Sequence, residues 1–164
     1  MASSLKHSVS FPFSTARYWE LVSDEQYWHG LLEATNSSHG KLISFRIDGT
    51  DVHVELQQGV PEDRLPSVVT KVRPGDLEIP RTMTFGYDGN VLTGTMSASV
   101  TGAPAHVEGA FTTTGDPANV DYTGSAKVGI PFVGGKIETA IIEQLVELLD
   151  NEREKTVTWE AAHR

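Results

Sequence analysis

The stretch Val128-Gly129-Ile130-Pro131-Phe132-Val133-Gly134-Gly135 introduces a segment, Lys136 to about Ala161, around which the rest of the chain is arranged. There Ile137, Ile141, Leu145 and Leu148 recur at i, i+4, i+8 and i+11, with Ile142, Val146 and Leu149 on the adjoining stripe. That spacing predicts a helix whose broad apolar face lies on a core. Pro131 halts the preceding strand, Gly134 and Gly135 let the backbone turn, and Glu138 places negative charge near the positive end of the helix dipole. Beyond Leu149 the run Asp150-Asn151-Glu152-Arg153-Glu154-Lys155 mixes charges, and only Val157 and Trp159 are apolar after it. The last turns are therefore expected to be mostly solvated.

Upstream of this junction, Leu77 to Tyr87, Val91 to Val100, Ala105 to Thr114 and Val120 to Ile130 read as four strands separated by short Gly-, Pro- and Asp-bearing turns. Ile43 to Ile47 and Val52 to Leu56 alternate around Asp48-Gly49-Thr50, which is a hairpin with Ile43, Phe45, Val54 and Leu56 expected on the inner face of the sheet. Between hairpin and strands, Pro61 to Gly75 holds three prolines and reads as a long connection with a helical turn around Ser67 to Thr70. At the start, Leu5 to Phe13 alternates as a half-buried strand. Ser14 can cap a short helix carrying Ala16, Trp19 and Val22, and Ser23-Asp24-Glu25-Gln26 matches a capping box for a second, with Val22 and Tyr27 as its staple. The connections are too short for crossover helices, so the sheet must be an antiparallel meander, with the first strand added at an edge.

At 164 residues, with 38% hydrophobic side chains, the chain has the length of one domain. A net charge of -9 with 13 Lys and Arg speaks against nucleic acid and against adhesion to an anionic surface. The absence of cysteine excludes disulfides and thiolate chemistry. No signal-like run opens the sequence and no stretch is long and apolar enough to span a membrane, so a cytoplasmic protein without integral membrane association is expected. Asn36-Ser37-Ser38 is then a polar loop rather than a glycosylation site.

The succession of a strand, two short helices, six meandering strands and a long C-terminal helix resembles the START-like, or SRPBCC, superfamily. Phe11-Pro12, Trp19, Ser23-Asp24 with Tyr27-Trp28, and Val128 to Glu138 are similar to an uncharacterised bacterial subfamily of unknown function. The resemblance implies a single α+β helix-grip domain over residues 1–164, in which a seven-stranded curved antiparallel sheet wraps the last helix. It also implies a hydrophobic cavity used to bind lipids, sterols or polyketides, with a minority of members acting as cyclases or hydrolases. No catalytic residue carries over onto this sequence.

Read residue by residue, chemistry is sparse. Gly134-Gly135-Lys136 has Ile130 where a phosphate loop needs its first glycine and Ile137 where it needs a hydroxyl, so neither phosphate binding nor any cofactor is expected. The six histidines show no metal-ligand spacing, and no G-x-S-x-G elbow occurs. Arg81 shares strand parity with Leu77, Ile79, Met83 and Phe85; either it faces inward, to a ligand anion or an internal Glu, or a bulge at Pro80 turns it out. Tyr122 is a second possible polar handle, while His106 and Glu108 have the parity of the outer face.

Three functions fit these features. The first is binding or carriage of a hydrophobic or amphipathic, lipid-like molecule between sheet and helix, contacted by Ile137, Ile141, Leu145, Arg81, Phe45, Val54 and Tyr122. The second is a polyketide cyclase-like enzyme. The third is a protein-interaction module whose cavity is filled by its own side chains.

Overall fold

The computed structural model describes residues 3–36 and 40–164; Met1, Ala2, Ser37, Ser38 and His39, with the loop reading placed on them, lie outside the described residues. In chain order the elements are β1 (Ser3–Ser10), α1 (Thr15–Val22), α2 (Glu25–Asn36), β2 (Lys41–Asp48), β3 (Asp51–Val60), α3 (Ser67–Val72), β4 (Leu77–Tyr87), β5 (Leu92–Ser99), β6 (Ala105–Thr114), β7 (Asn119–Val128) and α4 (Gly134–Ala162). All strands join one antiparallel sheet in the order β1-β7-β6-β5-β4-β3-β2. The first strand closes onto the last, with Val9 opposite Val120, because the two helices after it give the chain room to cross the sheet. This is the α+β helix-grip arrangement, a curved seven-stranded sheet around α4.

Local chemistry sets the details. Ser14 caps α1 by accepting from the Arg17 amide at 3.1 Å. Ser23 does not cap α2 as the capping-box reading has it: its hydroxyl bonds back to the Trp19 carbonyl at 2.6 Å, and Asp24 receives the Gln26 amide at 2.9 Å. In β2 a bulge between Leu42 and Ser44 shifts the register, so Ile43, expected on the inner face, is 48% exposed, while Leu42 lies opposite Leu56. In β4 the register runs through Pro80 without a shift, Pro80 facing Gln57 and Arg81 facing Leu56, so no bulge turns Arg81 outward. At the junction the residue with positive φ is Phe132, at 70°, rather than a glycine. Gly134 serves another purpose, since a Cβ there would stand 2.7 Å from the Val128 carbonyl oxygen.

Helix α4 reverses the expected division of environments. From Leu149 on it is firmly packed: Leu149, Thr156 and Glu160 are buried, against the solvated end that the mixed charge suggests. Those polar groups are buried because each finds a partner. The Tyr27 and Thr156 hydroxyls bond at 2.7 Å, the Arg17 Nε donates to Glu160 at 3.1 Å, and Trp159 meets the Tyr27 ring edge-on at 6.2 Å. In the first turns Glu138 acts less on the helix dipole than on the sheet, for its buried carboxylate accepts from the Val128 amide at 2.9 Å and from the Ser3 hydroxyl at 3.3 Å. Between these anchors, Ile141, Ile142, Leu145 and Leu148 are only partly buried.

Beneath the second half of α4 the core is aromatic. Phe11, Phe13 and Tyr18 stack at 4.8 to 4.9 Å, and Trp28, Phe85, Phe111 and Tyr122 continue ring to ring at 5.1 to 5.8 Å. Large rigid rings fill this end of the grip. The other end is lined by smaller aliphatic side chains, Ala105, Val128 and Ile137 with Val69 and Ile130.

Candidate functional site

The aliphatic end does not close. Between α4, the α3 connection and the sheet lies a cavity of about 410 Å³. Ile137, Ile141 and Leu145 bound it from the helix, Met96 and Val107 from the sheet, and Val69 from α3. Exposed Arg64, Val72, Gln144 and Glu147 also line it, so it meets solvent between the α3 connection and α4. The space exists because β-branched and small residues on a curved sheet cannot reach the helix that spans it.

Two buried polar side chains, Arg81 and Gln58, line this otherwise largely apolar space. Arg81 lies on the inner face of β4, 5% exposed, and donates from its two terminal nitrogens to the two Glu152 oxygens at 2.8 and 3.3 Å. A third donation, at 3.4 Å, reaches the Gln58 Oε1. Burial alone would favour the neutral guanidinium, but the Glu152 carboxylate outweighs it and holds Arg81 charged. Arg81 Nε makes no hydrogen bond to a described residue.

On the other side of Arg81 is a second, smaller space of about 30 Å³, bounded by Tyr18, Tyr122, Glu152 and Met83. It holds no more than one or two water-sized bodies. Burial pushes the hydroxyls of Tyr18, Tyr27 and Tyr122 well above the ordinary phenol range, so all three stay protonated at neutral pH.

Of the residues singled out from sequence, Ile137, Ile141, Leu145 and Arg81 come together around the larger cavity. Tyr122 sits beside the smaller one, and Phe45 and Val54 pack in the core away from the larger cavity's lining. Three contributors escaped the sequence reading. Gln58 continues the inner parity of Val54 and Leu56, and Glu152 lies one turn past Leu148 on the apolar stripe, so both could have been found by asking which polar residue interrupts a buried row. The third, α3 with its connection, was read as a helical turn in a long connection, but nothing in its sequence marked it as a wall of the cavity. Among the described residues no group of three metal-capable side chains forms, and His7, His29 and His106 each pair with a single carboxylate.

The family model described as "Protein of unknown function (DUF2505)" matches residues 6–159. The chain belongs to this family. Over 170 residues the DUF2505 chain is 29% identical to an uncharacterized protein of Mycobacterium tuberculosis, the match covering 97% of each. Its fold is similar to that of a START superfamily protein from Mycobacterium smegmatis, with TM-score 0.52 and 11% identity over 95% of this chain and 98% of that one. It is also similar to the Zhui aromatase/cyclase from Streptomyces sp. R1128, with TM-score 0.54 and 11% identity over 98% and 94%. At such identities these likenesses establish the START-like fold of the DUF2505 chain. Among its described residues no helix is long and apolar enough to cross a membrane.

Proposed function

We propose that this protein, acting as one domain over residues 1–164, binds and carries a hydrophobic or amphipathic small molecule of lipid-like size in the larger cavity. The observation that carries this reading is the space itself: about 410 Å³, mostly aliphatic, bounded by Ile137, Ile141, Leu145 and Arg81. Specific small-molecule sites occupy roughly 300 to 1,000 Å³ with apolar walls and few polar groups, and this one has that character. An interaction module filled by its own side chains would leave no such space. A cyclase-like enzyme needs a group that titrates or donates protons near neutral pH. The buried tyrosines are held far above it and Arg81 is engaged by Glu152, while His106 and Glu147, which also line the cavity, stand at its exposed margin, His106 paired with Glu108 at 3.1 Å.

Freshly purified protein, extracted with organic solvent and compared by native mass spectrometry before and after, should release a co-purifying lipid-sized mass. A hundredfold excess of ligand over its Kd adds about 2.7 kcal/mol of stability, so a broad lipid and aromatic library should contain compounds that raise the melting temperature. A library that shifts nothing, together with protein free of bound mass, overturns the reading.

A further inference from the structure

The charges around the larger cavity are unevenly placed. Inside it Arg81 is already matched by Glu152, but two further arginines, Arg64 and Arg73, line it from the connection between β3 and β4. Arg64 is exposed and Arg73 half-buried. One lip of the opening carries both. The Glu62 carboxylate accepts the Gly75 amide at 2.5 Å and the Asp76 carboxylate accepts the Glu62 amide at 2.8 Å, so the turn bearing Arg64 is fastened to the turn that follows Arg73. Arg73 is braced within that lip, its Nη1 donating to the Asp76 and Pro74 carbonyls at 3.2 and 3.5 Å. Neither arginine forms an ion pair with a described residue. The opposite lip, on α4, offers the neutral Gln144 and Asn151 and one carboxylate, Glu147. His106 is paired with Glu108. In a chain of net charge -9, the mouth of an apolar chamber thus shows two arginines against a single carboxylate, a local reversal of sign.

An amphiphile whose tail fills the chamber leaves its head at this mouth, because a charged head drawn inside would lose its hydration next to a pair already closed between Arg81 and Glu152. A neutral head gains little there that water does not offer. An anionic head gains charge-assisted hydrogen bonds from guanidinium groups whose planar fork matches a carboxylate or a phosphate. From this we infer that Arg64 and Arg73 form a head-group subsite at the cavity mouth, and that the ligand class is an apolar body ending in an anionic head, a carboxylate or a phosphate. The inference rests on the proposed cavity function and names which amphiphiles that cavity prefers. Arg81 takes no part in it.

The test uses the full chain and four probes with the same tail, tetradecane, tetradecanol, tetradecanoate and tetradecyl phosphate, delivered from cyclodextrin below their micelle concentrations and competed against Nile red fluorescence. In low salt both anions should displace the dye about tenfold more tightly than the alcohol, the scale of two exposed ion pairs, and the tighter of them names the head. That advantage should shrink as salt rises, since the mouth is open to solvent. Arg64→Gln with Arg73→Gln should abolish it, and Glu147→Gln should enlarge it. Should the double variant fail to fold, because Arg73 also braces its own lip, Arg64→Gln alone must still reduce it; that side chain is exposed and bonds to no described residue. An alcohol that binds wild type as tightly as the anions, or an anion advantage that survives loss of the arginines, overturns the subsite while leaving the cavity reading intact. Displacement by none of the four probes defeats the cavity reading itself.

Discussion

The guanidinium of Arg81 and the carboxylate of Glu152 meet as a two-pronged ion pair, at 2.8 and 3.3 Å, that ties β4 to α4 across 71 residues of sequence. With side chains 6% and 14% exposed, neither charge can turn to water if the other is removed. Arg81→Met should therefore destabilise the fold by about 3 to 5 kcal/mol, the range for stranding one member of a buried pair. Arg81→Met with Glu152→Met should recover much of that loss, since two apolar groups of similar volume leave no charge stranded. Chemical denaturation of the two single variants and the double variant closes the cycle. A double variant no more stable than the singles would mean the pair is not the coupling element.

Filling the cavity should be tolerated. Ile141→Trp or Leu145→Phe adds bulk where α4 is only partly buried, so each should cost no more than roughly 1 to 3 kcal/mol and abolish any ligand-induced rise in melting temperature. Calorimetry with and without a hydrophobic probe checks both parts. Strong destabilisation by both substitutions would mean that this end of the grip is packed.

At Gly30 the opposite holds. A Cβ there would stand 2.2 Å from the Trp159 ring, so α2 and α4 approach as closely as they do only because position 30 has no side chain. Alanine would ordinarily favour a helix by about 1 kcal/mol over glycine, yet Gly30→Ala should destabilise by about 1 to 3 kcal/mol. Trp159→Leu in the same background should relieve part of it. Melting curves of the two variants decide the matter, and a stabilised Gly30→Ala would contradict the contact.

The last turn of α4 gives a pH signature. Burial by itself would raise the Glu160 carboxyl, but the hydrogen bonds from Arg164 and Arg17 prevail and hold it below the usual carboxylate range. A depressed folded value means that the ionised form is favoured by folding. Its contribution is whole above the unfolded carboxylate range and is lost as the pH falls through the lowered folded value. Glu160→Gln should therefore be less stable than wild type at neutral pH, and the gap should narrow in acid. Denaturation midpoints across an acid pH series test this, and a gap that does not change with pH would remove Glu160 from the account.

Much of the fold was legible because meander strands and an amphipathic helix write their periods directly into the chain: β4 and β6 match their sequence bounds, and β1 adds at the edge as their connectivity requires. What stayed hidden depends on partners distant in sequence. The mixed charges after Leu149 look like a solvated helix end until Arg81, Tyr27 and Arg17 are brought against Glu152, Thr156 and Glu160. Ile43 faces outward through a one-residue bulge that no period-two pattern reports. At the site, apolar spacing pointed to the helix face, but it could not distinguish residues lining a hollow, such as Ile141, from residues filling a core, such as Val54. That distinction depends on the summed volume of side chains from several elements.

Helix α4 can be regarded as a beam resting on two piers. One is the Glu138 carboxylate set against β7, and the other is the packed stretch from Leu149 through Thr156 to Glu160. The middle span, from Ile141 to Leu148, has open space below part of it and touches the core through Ile141, Ile142 and Leu145 beside that space, so it leans more than the two ends do on its own ladder of i to i+4 hydrogen bonds. Its sequence, Ile-Ile-Glu-Gln-Leu-Val-Glu-Leu, contains neither glycine nor proline, as a length of helix with little beneath it requires. The rigidity that most proteins draw from a filled interior is supplied here by the backbone of the span, and the chamber beneath can stay hollow without the roof sagging into it.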